Sequence, residues 1–363
     1  MEHVQRELNT VEHLNIYNNF QASHVFGAVP GSEASVASPV ICSGGIAKRD
    51  TVDTCCAYGE DVVYGKNGCL FVFDGHSGHE TSYLAAKHSV KMFTDKHWRS
   101  HITKLLELNF VHVVESVLRV QISHLVQLTQ NMLSGSTATW MQCFWSGSRR
   151  WVVTANMGDS EGMIITKKKV YMTTAEHNWD NLLAYHCYAN HCLKYNLSPL
   201  AAIRITQKRS VYMLMSVKDN CVFRHLDVIK NMNAPSGGTQ SVRRMVDENG
   251  TLKGHETDNW GAYGMDVRTG TMVAQTMLCL GDSNDKKVSG VDPHSMTVHI
   301  RELHPDEDVV LQVHSDGVGN IVWLHQLVDL YQNTTSSKEC AEKLMEQIKC
   351  TPRDDMSFVL AKW

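Results

Sequence analysis

The chain is short of proline and of charge of one sign. Seven prolines and 24 glycines among 363 residues exclude a collagen-like or low-complexity disordered chain. Lys and Arg total 34 against 38 Asp and Glu, so the basic footprint that nucleic acid demands is missing. No run of about 18 apolar residues occurs, which argues against a membrane-spanning helix. Met1 to Phe20 are polar and charged with no apolar core, so a chain without a secretory leader is expected. Cys-x-x-Cys spacing is absent, which removes the commonest zinc-finger pattern. Two counts are high instead, 20 His and 11 Cys. An odd cysteine count cannot pair completely. Reduced thiols in a cytoplasmic or nuclear compartment are expected.

The order of local patterns points to mixed strands and helices. Cys69 to Phe73 reads as a buried strand that stops at Asp74-Gly75-His76. Glu80 to Phe93 has helical spacing, and a second, long helical pattern runs from about Ile102 to Leu133. Strands follow over Ser136–Phe144, Arg150–Ala155 and Gly162–Ile165. His177 to Leu193 reads as a helix. Its Cys187, His191 and Cys192 are half-buried helix side chains in the plain reading, since no second ligand pair completes a metal site. Residues 194–270 have little periodicity and read as a flap or insertion. Val309 to Val313 is a strand that stops at Ser315-Asp316-Gly317. Two helices follow, at about Ile321–Gln332 and Lys338–Lys349, with Ser336 and Glu339 spaced as a capping box. A last strand, Ser357 to Trp363, follows Asp354-Asp355.

The chemistry lies in the aspartates. Asp74, Asp159 and Asp316 each close a short apolar run, and Asp354 opens one. A residue at a strand end is fixed by a rigid element yet meets solvent. Several such ends on neighbouring strands converge. Carboxylates that converge raise one another's pKa unless a cation stands among them. Oxygen donors select a hard ion, Mg²⁺ or Mn²⁺, over zinc. Taken singly, each Asp-Gly is also an ordinary turn.

Six segments stand in order along the chain: Phe71-Val72-Phe73-Asp74-Gly75-His76-Ser77-Gly78-His79, Ser134-Gly135-Ser136-Thr137-Ala138, Ala155-Asn156-Met157-Gly158-Asp159-Ser160, Leu280-Gly281-Asp282, Ser315-Asp316-Gly317-Val318 and Arg353-Asp354-Asp355-Met356-Ser357. Together they resemble the metal-dependent serine/threonine phosphatases of the protein phosphatase 2C family. The resemblance implies an α+β fold, a four-layer α-β-β-α sandwich of two antiparallel sheets flanked by helices. It spans 41–363 as one domain, with an N-terminal extension over 1–40 and the flap at about 194–270.

The resemblance also implies two Mg²⁺ or Mn²⁺ ions and a weaker third. Asp74 would bridge the pair, the Gly75 carbonyl would hold one ion, and Asp316 and Asp354 the other. Asp53 would stand where the family has a metal-binding Glu, and Asp159 would serve the third ion with Asp316. Arg49 would grip the substrate phosphate, as its planar fork suits. His76 would protonate the leaving serine oxygen. Phosphoprotein substrates, a monomer and no nucleic-acid or membrane partner are expected. Asp282 reads as structural.

Four positions depart from the family pattern. Asp53 replaces Glu, Thr54 replaces the second acid of that pair, Asn320 replaces Asp, and Leu278 replaces Arg. These departures keep a second reading open, a catalytically weak or inactive phosphatase fold that serves as a protein-binding regulatory module.

Overall fold

The computed structural model of the chain describes residues 24–25, 36–37, 40–41, 60–66, 68–93, 95–146, 148–167, 170–179, 181–205, 211–215, 224–226, 242–246, 252–257, 261–266, 271–274, 276–283, 296–304, 307–319, 322, 324–335, 337–348 and 356–362. Arg49, Asp53, Thr54, Asn320 and Asp354 lie outside them.

The element order is β1 (His24–Val25), β2 (Val36–Ala37), β3 (Val40–Ile41), β4 (Val62–Lys66), β5 (Cys69–Phe73), β6 (Gly75–His76), α1 (Glu80–Phe93), α2 (Lys96–Glu107), α3 (Val111–Thr129), β7 (Gly135–Ser136), β8 (Ala138–Ser146), β9 (Arg149–Met157), β10 (Glu161–Thr166), β11 (Val170–Met172) and α4 (Leu182–Lys194). Then come β12 (Ala201–Ile205), β13 (Val211–Met215), β14 (Arg224–Leu226), β15 (Val242–Val246), β16 (Leu252–Thr257), β17 (Gly261–Asp266), β18 (Thr271–Ala274), β19 (Leu280–Gly281), β20 (Thr297–Leu303), β21 (Val309–His314), α5 (Asp316–Gly319), α6 (Leu324–Gln332), α7 (Ser337–Ile348) and β22 (Met356–Lys362).

Two antiparallel sheets carry the architecture. One runs β20-β9-β8-β5-β4, the other β1-β2-β22-β21-β10-β11 with β3 beside β22. Alternation along the strands sorts side chains between layers. Leu70 and Val72 of β5 meet Leu311, Val313 and Val359 between the sheets. Phe71 and Phe73 of the same strand face the other way, toward Leu106, Leu118 and Ile122 of the helices. On the far side, Val310 and Phe358 pack against Leu327 and Leu344. Helices therefore cover both outer faces, and the four-layer α-β-β-α sandwich implied by the sequence is the fold. Each fully buried Phe or Leu contributes roughly 2 kcal/mol through this burial. The rings add edge-to-face contacts, with Phe73 and Trp140 centroids 5.6 Å apart.

The long helical pattern is two helices. The chain turns at Leu108-Asn109-Phe110, with Asn109 at φ 59. Phe110 N donates to Leu105 O at 2.8 Å and Asn109 N to Leu106 O at 3.0 Å. This is a left-handed helix stop built on Asn in place of Gly. The apolar stripe crosses the break without changing period, so the sequence pattern does not show it. The helix read from His177 begins later, where Asn181 Oδ1 caps Leu183 N and Ala184 N at 3.1 and 3.2 Å. At α7, Glu339 Oε2 accepts from Thr335 N at 2.9 Å; Ser336 lies outside the described residues.

From 201 to 274 the described segments are strands. They form a sheet β14-β13-β12-β17-β18 and a β15-β16 hairpin. Cys187, His191 and Cys192 sit on α4 and are not gathered as a metal group, among the described residues. No helix among the described residues is long and apolar enough to cross a membrane.

Candidate active site

Register brings the acidic strand ends to one end of the sandwich. Val62 pairs with Phe73, so Glu60 and Asp61, just before β4, lie beside Asp74, just after β5. Ala138 pairs with Met157, placing Thr137 next to the turn that holds Asp159. In the second sheet Glu161 pairs with His314, and His314 with Phe358. Asp159 and Asp316 flank that sheet at the same end, where β22 begins at Met356.

Hydrogen bonds fix these ends. Asp74 N donates to Thr137 Oγ1 at 3.1 Å, and Thr137 N returns a bond to Asp74 O at 2.8 Å. Thr137 Oγ1 lies 2.6 Å from Ser160 Oγ. One threonine thus ties the Asp74 turn to the Asp159 turn. Gly158 holds φ 87, and a Cβ there would collide with Thr137. Across the sheets, Ser357 Oγ donates to the buried Asp61 Oδ2 at 2.6 Å. Ser357 N donates to Ser315 Oγ at 2.9 Å. That chain of bonds links β4 to the residue preceding Asp316.

A small three-stranded sheet, β19-β7-β6, carries the histidine. His76 pairs with Gly135, and Gly135 with Gly281. This sets His76 Nε2 2.9 Å from Asp282 Oδ2. Asp282 takes φ 53 after Gly281 at φ 77, and its N–H is held by Ser134 O at 3.0 Å. A Cβ on Gly135 would collide with the His76 ring and with both Asp282 oxygens. The pair therefore requires glycine beneath it.

The electrostatics show that these groups share one space. Burial works against a charged His76, but Asp282, Asp159 and Glu60 outweigh it and raise the imidazole above its usual value. Burial pushes the Asp159 carboxyl up, against a 2.9 Å bond from Thr276 Oγ1 and the His76 charge. The Cys279 thiol is pushed well up by burial and then by Asp282, Asp159 and Asp74. Three carboxylates thus act on one imidazole, and Asp74 joins two of them at the neighbouring Cys279 thiol. An oxygen donor set with this excess of negative charge fits a hard divalent ion, which reverses the local penalty.

Of the predicted site residues, Asp74, Gly75, His76 and Asp159 come together here, and Asp316 sits at the same end as the first residue of α5. Arg49, Asp53 and Asp354 lie outside the described residues. The sequence reading passed over Glu60 and Asp61. Glu60 Oε1 accepts from Gly78 N at 2.9 Å, and its carbonyl accepts from Ser82 Oγ at 2.5 Å. The signal was an acidic pair directly before the apolar Val62-Val63-Tyr64. Asp282, read as structural, is the partner of His76.

Cys143 to Arg149 has the Cys-x5-Arg spacing of thiol phosphatases, but the structure gives it no such site. Cys143 is buried within β8 with its thiol pushed up to about 12, by burial above all. Arg149 pairs with Glu302 at 2.6 Å.

A four-layer sandwich with carboxylates and a braced histidine at one end is the class of fold that the six sequence segments implied. Residues 42–183 match the family model Protein phosphatase 2C. Over those residues the match agrees with the resemblance read from the sequence segments. Similar solved structures include a bacterial serine phosphatase at 16% identity and TM-score 0.46, covering 91% of this chain and 97% of that one. Serine/threonine phosphatase Stp1 from Staphylococcus aureus is similar at 16% identity and TM-score 0.43, covering 93% and 96%. The catalytic domain of the phosphatase PstP, solved with two manganese ions, is similar at 14% identity and TM-score 0.43, covering 91% and 97%. No curated protein matches the chain.

Proposed function

We propose that the chain is a Mg²⁺- or Mn²⁺-dependent phosphatase of phosphoserine and phosphothreonine in proteins. The observation that carries this reading is the meeting of Asp74, Asp159, Glu60 and the His76–Asp282 pair at one end of the sandwich. Asp74, the Gly75 carbonyl, Asp316 and Asp354 would hold the two ions, with Asp159 and Asp316 serving a third. Of the acidic residues before β4, Glu60 would supply a further ligand, in the role that the resemblance gives Asp53; its charge acts on His76. Bound there, the ions would supply an activated water and neutralise charge on the phosphoryl group.

The chain's own residues do the rest. Arg49 would hold two phosphate oxygens and orient the ester. Asp282 takes Nε2 of His76, so the transferable proton sits on Nδ1, ready for the leaving oxygen. Asp282 also keeps the imidazole protonated to a higher pH. Thr137 keeps the Asp74 and Asp159 turns in register. Substrates are phosphoproteins, and the compartment is cytoplasmic or nuclear in keeping with reduced cysteines.

Hydrolysis of a phosphoserine peptide by the purified chain, with Mn²⁺ and then with EDTA, tests the reading. Turnover that EDTA abolishes and excess Mn²⁺ restores supports it. A folded chain that binds Mn²⁺ weakly and releases no phosphate would instead identify the non-catalytic binding module.

A further inference from the structure

We propose that His76, Cys279 and Asp282 form a separate site for a soft divalent cation such as Zn²⁺, and that filling it switches off the acid catalysis assigned to His76. The inhibitory half of this proposal rests on the phosphatase reading; the binding half does not.

Among the described residues these three form the one group of metal-ligating side chains with a ligand atom each within 4.8 Å of the others. The donors are an imidazole nitrogen, a thiol sulfur and a carboxylate oxygen. Mg²⁺ and Mn²⁺ favour oxygen and take thiolate poorly. Zn²⁺ accepts all three donors.

The backbone holds the three groups on one support. Strand β7 pairs with β6, which carries His76, and with β19, which lies between Cys279 and Asp282. Leu278 at φ 58, Gly281 at φ 77 and Asp282 at φ 53 turn the chain sharply on either side of the cysteine. Such conformations persist only where the surroundings enforce them, and they place Cys279 and Asp282 toward the same histidine. Access is through His76, whose side chain is 39% exposed against 16% for Asp282.

The adjustment required of the His76–Asp282 pair is small. Nε2 and Oδ2 are 2.9 Å apart across their hydrogen bond. Two ligands on a tetrahedral zinc stand roughly 3.3 Å apart, from bonds of about 2.0 to 2.1 Å. The pair opens by a few tenths of an ångström as the ion takes the place of the shared proton. The Cys279 thiol releases its proton to solvent and binds as thiolate, which the dication stabilises. Water completes the fourth position. With Nε2 on the metal, the proton left on Nδ1 is that of a neutral imidazole, and it is not acidic enough to transfer near neutral pH.

Cobalt(II) reports the site directly. Co²⁺ is added to the full chain in saturating Mg²⁺, with Cys279→Ala, Cys279→Ser and Asp282→Asn variants alongside, each shown folded by its thermal transition. The expected result is a thiolate-to-cobalt charge-transfer band in the unmodified chain, absent from both Cys279 variants and displaced by one equivalent of Zn²⁺. Zn²⁺ affinity falls at least roughly tenfold in each variant. In phosphopeptide hydrolysis with Mg²⁺, half-inhibition by Zn²⁺, taken relative to each variant's own rate, shifts upward at least roughly tenfold on loss of Cys279. No band in the unmodified chain, or the same band in folded Cys279→Ala, overturns the site. Equal Zn²⁺ inhibition in all forms overturns the switch. A chain without phosphatase activity overturns the function proposed above, while the cobalt spectrum still decides the site.

Discussion

His76 and Asp282 stand 206 residues apart in sequence and 2.9 Å apart in space. Their contact depends on a bare backbone position, Gly135, over which both side chains lie. The pairing turns a histidine at a strand end into one with a fixed ring, a fixed tautomer and a raised pKa.

Replacing Asp282 by Asn removes the charge but keeps the shape. The His76 pKa then falls, because the bond and charge of Asp282 no longer offset burial. The required acid is the protonated form, so the alkaline limb of kcat moves to lower pH. We expect kcat to fall roughly tenfold to a hundredfold with little change in KM. A pH–rate profile of Asp282→Asn checks both points, and an unshifted limb contradicts the role.

Gly135→Ala tests the platform. The added methyl cannot fit with both His76 and Asp282 in place. Overpacking of this kind costs about 1–3 kcal/mol. Turnover should fall further than that stability loss explains, since the dyad itself is displaced. Thermal unfolding and phosphopeptide kinetics on one preparation separate the two effects.

Glu60 and Asp53 compete for one role. Glu60 lies close enough to raise His76 and is anchored through Gly78 N. Glu60→Gln should weaken Mn²⁺ binding at least roughly tenfold, and Asp53→Asn by less than about threefold. Calorimetric titration of both variants decides between them.

His177 predicts an acid weakness. It is buried, its Nδ1 accepts from Gly158 N at 3.1 Å, and burial lowers its pKa to about 4. The unfolded chain therefore binds this proton first as pH falls. Stability is complete above the unfolded value near 6.5 and is lost progressively toward pH 4. Between pH 7 and 5 this one group costs about 2 kcal/mol. Urea unfolding at both pH values shows the loss, and His177→Gln reduces it.

The central strands and the aspartate clusters were legible in the sequence because each obeys one local rule. Cys69–Phe73 is short, apolar and punctuated by Asp-Gly, and it folds as β5. The break at Asn109 was not legible, since the stripe from Leu106 to Val114 keeps helical spacing across it. Asp282 and Glu60 were passed over for a different reason. Their importance lies in what distant strands bring to them, and spacing along the chain carries no record of that. The strands of 201–274 were hidden by weak alternation and many polar residues.

The central claim meets its most direct test in phosphate release from a phosphoserine peptide by the full chain and by Asp74→Asn. The account predicts Mn²⁺-dependent turnover that EDTA abolishes, with a loss of at least roughly a thousandfold in Asp74→Asn while its thermal transition is retained. Absence of metal-dependent release from the folded chain, or equal release by folded Asp74→Asn, contradicts it.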